Sequence, residues 1–417
     1  MGFEARRPLL GDLRGRWSFD QFDIDSPLDA KRDIAIYQPP DTPGAGSSSQ
    51  FQVLTSSSGY ASTVTAGVGL GRAGDVPVPA DYDADGKTDF AFVRTGGLTT
   101  NPPDPYASGM WWIWCRSSQG NNCTINTNCS TASDGCRQWG EREDVPLPGL
   151  EFDGNASTRE IAVYRPSSKQ IYWRVVGSAT NGTINLSAAQ TRIVHMHGLY
   201  DWDSKTDIVV YEPDTARFYL LLSTNSWNPA QSIWRYFSSA LVADAVGASG
   251  AGGGAMAIRH GGVAVPAEKS GRRQLRVWDP WTGNFHTIWD PVTNYVIQTC
   301  QWGTQRDIPI GGPIDRNFDG LTDLVVYRPT YSPPTVFIRS ATTATCTPSG
   351  SDYSFTVSAG TPRSQISAVT DMSGDGRGDF LVLNPEQESW TRYYSTHGGG
   401  FAVQPTLNLG ALGAMGL

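Results

Sequence analysis

Short apolar strands, most of them opened by an acidic residue, recur along this chain. They are Asp33-Ile-Ala-Ile-Tyr37, Asp89-Phe-Ala-Phe-Val93, Glu160-Ile-Ala-Val-Tyr164, Asp207-Ile-Val-Val-Tyr211, Asp323-Leu-Val-Val-Tyr327 and Asp379-Phe-Leu-Val-Leu383, with Gly254-Ala-Met-Ala-Ile258 filling a gap of two periods. In chain order their first residues lie 56, 71, 47, 47, 69 and 56 apart. A short apolar run bounded by turn formers predicts a strand buried on both faces. No long stretch carries apolar residues at helical spacing. A unit recurring at this period marks a repeat architecture.

The second repeat shows what surrounds each such strand. Asp75-Val-Pro-Val-Pro79 reads as a first strand, Phe90 to Arg94 as the second, Met110-Trp-Trp-Ile-Trp114 as the third, and an outer strand ends near Gln138-Trp139-Gly140. Equivalent third strands are Gln170 to Val176, Arg217 to Leu222, Val336 to Ile338 and Trp390 to Tyr394, and Gln274 to Trp278 fits that place in the fifth repeat. Four antiparallel strands repeated seven times predict an all-β fold, a seven-bladed β-propeller whose closure leaves only short edges. The blades fall at about 13–74, 75–143, 144–192, 193–239, 240–306, 307–365 and 366–417, within a single domain over 1–417. Trp139 and Trp302, in matching Gln-Trp-Gly contexts, are expected to pack between blades.

The loops before the second strands carry the candidate chemistry. Asp81, Asp83, Asp85 and Asp89 stand at positions 1, 3, 5 and 9 of one loop, with Gly86 at position 6 and the Lys87 carbonyl available at position 7. Calcium takes six to eight oxygens, and alternating ligands around a glycine turn let a tight loop wrap it. The same register recurs with Asp315, Asn317, Asp319, Leu321 and Asp323, and with Asp371, Ser373, Asp375, Arg377 and Asp379. About three calcium ions are expected. Imperfect versions hold Asp23, Asp25, Asp29 and Asp33, then Glu151, Asp153, Asn155 and Glu160, then Asp201, Asp203 and Asp207. The first has a two-residue insertion and is expected to bind weakly. The second has one extra residue and the third has Leu199 at position 1, and hydrogen bonds are expected to hold both. In the fifth repeat, Val246 to Gly254 reads as a loop that has lost its acids.

These loops, with the Ile-Ala-Val-Tyr-Arg-Pro type strand after them, resemble FG-GAP (VCBS) repeats from about Trp17 to about Leu409. The resemblance is specific in blades two, six and seven, partial in one, three and four, and poor in five. It implies a calcium-binding propeller like that of integrin α subunits and secreted bacterial relatives, extracellular or at the cell surface, with structural calcium loops on one face. The function expected from it is a recognition or adhesion scaffold for protein or glycan. The alternatives are a lyase-like enzyme acting on polysaccharide and a structural subunit of a surface fibre or layer. An enzyme is the less favoured reading: no Gly-x-Ser-x-Gly elbow or His-Glu-x-x-His pair occurs.

Charge and cysteine usage refine this picture. The formal net charge is −8, against a nucleic-acid partner, which would want a basic stripe. Ten carboxylates sit in the three best loops, so the acidity has a local origin. No apolar run approaches the roughly 18 residues that span a bilayer, and the first residues show no apolar core of an export signal. Cys115, Cys123, Cys129 and Cys136 crowd one polar segment, while Cys300 and Cys346 fall near outer strands of neighbouring repeats. Disulfides, unpaired thiols and a metal site are the three readings. The spacing is unlike paired zinc ligands, and the nested pairing 115–136 with 123–129 is the favoured disulfide arrangement. Sequons stand at Asn122, Asn128, Asn155, Asn181 and Asn185.

Three further features invite a function. Arg377-Gly378-Asp379 spells an adhesion tripeptide, but Asp379 is the ninth loop residue and should point inward. His195 and His197 share one face of a first strand and are expected to line the inner side rather than hold a metal. Ligand contacts are expected from long loops between second and third strands, with Tyr106, Arg272, Arg273 and Tyr331 as candidates.

Overall fold

The computed structural model describes residues 17–24, 31, 33–38, 50–66, 71, 75–95, 109–115, 135–155, 159–189, 192–237, 262–293, 295–342, 352–357, 364–369, 371–384, 387 and 389–408. Within them lie seven antiparallel sheets, the blades of a seven-bladed β-propeller. Blade 1 runs Trp17–Phe22, Asp33–Gln38, Gln50–Leu54 and Thr63–Ala66. Blade 2 runs Val76–Pro77, Phe90–Thr95, Gly109–Cys115 and Cys136–Glu141, and blade 3 Val145–Pro146, Glu160–Arg165, Gln170–Val175 and Asn181–Asn185. Blade 4 runs Val194–His195, Ile208–Glu212, Arg217–Leu221 and Ile233–Tyr236. Blade 6 runs Ile308–Ile310, Leu324–Arg328, Thr335–Arg339 and Tyr353–Thr356, and blade 7 Gln365–Val369, Asp379–Asn384, Ser389–Ser395 and Phe401–Val403, with Leu407–Asn408 also on its third strand. The only helical segments among the described residues are two short 3₁₀ turns, Ser223–Asn225 and Pro229–Gln231, and no helix is long and apolar enough to cross a membrane.

Blade 5 corrects the sequence reading. Its strands are Val263–Ala264, Arg272–Asp279, Asn284–Ile288 and Ile297–Gln301. Arg272–Asp279 is therefore the second strand, and Gln274 to Trp278 is not the third. Gln274 holds the place of the ninth loop residue, because Trp278 pairs with Val263 as Tyr211 pairs with Val194. The loop ahead of it is Glu268–Gln274, not Val246 to Gly254, which lies outside the described residues along with Gly254 to Ile258. Arg272 and Arg273 thus open the second strand and do not lie between the second and third.

The chain divides into two compact units, residues 1–191 with 204–206 and residues 192–203 with 207–417. In the first, Ala35, Tyr37 and Phe51 pack on Phe90 and Phe92, and Ala91 and Trp112 pack on Ile161 and Val163. In the second, Val209 and Phe218 pack on Leu275 and Val277, Trp278 on Val326, and Val325 and Val336 on Phe380 and Val382. The second strands of blades 2, 5 and 6 are covered on both faces in this way, and those of blades 3, 4 and 7 are buried along their lengths, which is why such apolar runs are continuous. Outer strands alternate: Asn181–Asn185 buries Ile184 and exposes its neighbours. Trp139 packs partly buried beside Trp112, its indole N–H on the Tyr172 carbonyl at 3.1 Å, and Trp302 packs beside Trp278.

Two repeated devices join the strands. Asp75, Asp144 and Asp307, each just ahead of a first strand, take two bonds from Arg94, Arg165 and Arg328 at the ends of the second strands, at 2.6–2.9 Å. Threonine at loop position 8 clamps one blade to the one before it. The N–H of Thr88, Thr206 and Thr322 donates to the carbonyl of Asp23, Glu151 and Glu268, at 2.7, 2.7 and 2.9 Å. Each threonine Oγ1 accepts the N–H of that same residue, at 3.2, 2.9 and 2.9 Å. In blade 7 position 8 is Gly378, where a Cβ would stand 2.6 Å from the Pro313 carbonyl oxygen.

Candidate metal centres

The loops of blades 2, 6 and 7 share one backbone. Positions 4 and 6 are left-handed in each: Ala84 and Gly86, Phe318 and Gly320, Gly374 and Gly376. That path turns the N–H of position 6 onto the first carboxylate, as Gly86 to Asp81 at 3.0 Å, Gly320 to Asp315 at 2.8 Å and Gly376 to Asp371 at 2.6 Å. It turns the N–H of position 7 onto the fifth: Lys87 to Asp85, Leu321 to Asp319 and Arg377 to Asp375, at 2.8, 2.9 and 3.1 Å. The alternating acids therefore follow from hydrogen bonding as well as from any ion.

Position 9 is a buried anchor. One oxygen of its carboxylate takes the N–H of position 2, from Tyr82 to Asp89, Arg316 to Asp323 and Met372 to Asp379, at 2.8–2.9 Å. In blades 6 and 7 the other oxygen takes an N–H at or just past the end of the third strand, from Ala341 and Ser395, at 3.0 and 2.8 Å. Asp33 and Asp207 do the same, and in blade 5 Gln274 accepts from the Asp290 N–H at 2.6 Å. Burial, with neighbouring carboxylates adding to it, pushes Asp323 up to about 7, and Asp379 and Asp207 up to about 6. Asp379 is fully buried, so the Arg377-Gly378-Asp379 tripeptide does not present its carboxylate.

Among the described residues, carboxylates converge threefold in two loops. Asp81, Asp83 and Asp89 offer oxygens within 4.8 Å of one another, and so do Glu151, Asp153 and Glu160. In blade 3 each glutamate is one methylene longer than aspartate, and the extra reach spans the inserted residue. Asp81 Oδ1 and Glu160 Oε2 are buried without a hydrogen-bond partner. A buried carboxylate oxygen left open is costly, and a hard cation among three carboxylates would relieve it. Burial and the nearby Glu151 push Glu160 up to about 8. Arg159 supplies one positive charge, 2.9 Å from Asp81 Oδ2.

The other loops are closed by protein donors. Asn317 donates to Asp319 at 3.0 Å, and the Asp319 N–H to Asp315 at 3.2 Å. Asp371 takes the Ser373 hydroxyl and the N–H groups of Gly374 and Asp375, while Ser395 Oγ donates to Asp375. In blade 4, Asp201 takes the Thr224 hydroxyl at 2.7 Å and Asp203 that of Ser223 at 2.6 Å. Asp23 is buried, while Asp25 and Asp29 lie outside the described residues. Asn155 donates its N–H to Asp153 at 2.7 Å.

His195 Nδ1 and His197 Nε2 lie 2.9 Å apart, and His197 Nδ1 accepts the Val209 N–H at 3.1 Å. The proton of His197 therefore sits on Nε2 and points at His195. Tyr331 stacks on Arg328 and accepts its bond at 3.0 Å. Tyr106, Cys123, Cys129 and Cys346 lie outside the described residues, and Cys115, Cys136 and Cys300 are not free thiols. Two features escaped sequence reading: the threonine clamp, visible as a repeated Thr-Asp pair, and Trp202, 85% exposed in the blade 4 loop.

No protein-family model and no curated protein matches the chain. Among solved structures, the chain is similar to the NanB sialidase from Streptococcus pneumoniae at 10% identity and a TM-score of 0.28, over 98% of this chain and 61% of that one. The chain thus spans less than two thirds of the sialidase.

Proposed function

We propose that the chain is a calcium-stabilised propeller of the FG-GAP type, extracellular or at the cell surface, that serves as a recognition or adhesion scaffold for a protein or glycan. The observation that carries the calcium reading is the open, buried Asp81 Oδ1 beside Asp83 and Asp89. Asp81, Asp83, Asp85 and Asp89 with the Lys87 carbonyl would hold one ion, and Glu151, Asp153 and Glu160 a second. The loops of Asp315 and Asp371 would bind only by exchanging internal hydrogen bonds for the cation. Bound calcium supplies positive charge to carboxylates that otherwise repel one another; it is structural here.

Disulfides involving Cys115, Cys136 and Cys300 fit an exported protein, and a count near six free thiols in the unfolded, unreduced chain would exclude them. The scaffold reading is tested on a glycan and protein binding array in millimolar calcium, repeated with chelator. Calcium-dependent binding to one ligand class supports it. No binding by the folded protein transfers the weight to an assembly role.

A further inference from the structure

The fifth blade replaces an acidic loop with a basic hairpin. Between Glu268 and Gln274 stand Lys269, Ser270, Gly271, Arg272 and Arg273, and Ser270 and Gly271 turn the chain with φ of 49° and 78°. Such paired left-handed residues make a tight two-residue turn. Lys269 donates to Asp290 at 2.6 Å, and Arg273 lies 3.6 Å from Glu268. Arg272 has no such carboxylate among these contacts. Its Nε and Nη1 are buried without an acceptor, and its guanidinium lies 3.5 Å from the centre of the Trp202 ring system. One indole face rests on this cation while the residue stays 85% exposed, so the other face is open to solvent. The loop beneath is braced, because Ser223 and Thr224 hold Asp203 and Asp201.

Two features here lack a partner: a wide aromatic face in water and guanidinium N–H groups with nothing to accept them. We propose that Trp202 and Arg272 form a binding site for an acidic saccharide, a pyranose bearing a carboxylate; this rests on the scaffold reading above and names its ligand class. The carboxylate matches the guanidinium donors. The C–H face of the sugar covers the indole, as apolar surface covers aromatic rings elsewhere. Rotation of the indole off the guanidinium opens Nε and Nη1 and brings the ring over the sugar. An aspartate or glutamate side chain would satisfy the cation but is too narrow to cover the indole, which favours saccharide over acidic peptide.

Titration calorimetry of the full chain in millimolar calcium tests this with a hyaluronan hexasaccharide, its carboxyl-reduced neutral form and hexaglutamate. The acidic saccharide should bind with a change in tryptophan fluorescence, and the neutral form at least tenfold more weakly. Trp202→Ala and Arg272→Gln should each weaken binding at least tenfold; Trp202 is exposed, so its removal leaves folding intact, and an unchanged melting temperature verifies this for both. Absence of saturable binding, binding unaffected by either substitution, or tighter binding of hexaglutamate overturns the proposal. Calcium-dependent melting without saccharide binding would sink this inference and leave the scaffold reading standing.

Discussion

The strongest single-residue dependencies lie where charge is buried. Arg94 and Asp75 are each about 1% exposed, with the pair closed at 2.6 Å. Asp75→Ala leaves a guanidinium in the interior without that carboxylate, and breaking such a pair costs about 3–5 kcal/mol. Asp352→Ala removes a more exposed partner of Arg339 and should cost less than about 1 kcal/mol. Urea denaturation of both variants checks the contrast; equal losses would show that the Asp75 pair is solvated. His197 gives one separable pH dependence. Burial, then the neighbouring His195, hold its pKa well below the usual value. Below about 6.5 the unfolded histidine binds a proton that the folded one refuses. Stability from this group is therefore present above that pH and lost as pH falls. Raised carboxylates such as Asp207 and Asp323 act in the opposite sense but are common to both proteins, so between pH 7 and 5 the melting temperature of the natural protein should fall relative to that of His197→Gln, whose amide can still accept from Val209. Parallel pH profiles would refute the assignment.

At the scale of the element, the threonine clamp is the testable joint. Thr322→Val keeps the shape but leaves the Glu268 N–H without its acceptor, at a cost of about 1–3 kcal/mol. Thr322→Ser should recover most of it, and thermal melts of the two variants separate hydroxyl from shape. Six second strands were legible because a strand buried on both faces must be continuously apolar. Blade 5 was misread because its second strand carries Arg276, fully buried, where the others carry Val, Ala or Leu. That guanidinium is spent on the carbonyls of Thr322 and Asp323, at 2.8 and 3.1 Å, so a polar residue serves as a packing one. Its acidic mark is also gone, Gln274 accepting the same N–H as the aspartates. The metal loops were legible in spacing but not in rank. Register places the acids, whereas the hydroxyls of Ser223, Thr224 and Ser395, remote in sequence, decide which carboxylates stay open.

For the whole molecule, the two open carboxylate groups among the described residues, around Asp81 and around Glu160, both fall in the unit of residues 1–191 with 204–206. Calcium should therefore stabilise that unit most. At a concentration 100 times the dissociation constant, each independent site adds about 2.7 kcal/mol, so chelation should lower the melting temperature by several degrees. Hydrogen exchange should report where: protection lost with chelator should centre on blades 2 and 3, at residues 81–93 and 151–164, and spare the Asp315 and Asp371 loops. Asp81→Asn, which keeps the acceptor for Gly86 but removes the charge, should abolish the calcium response of blade 2 while leaving the chelated protein about as stable as before. Equal loss of protection in all the acidic loops would mean that calcium displaces the internal hydrogen bonds of blades 6 and 7 as readily as it fills the open groups. An unchanged melting temperature in chelator would mean that the carboxylates are held by backbone donors alone and that the ion has no structural part.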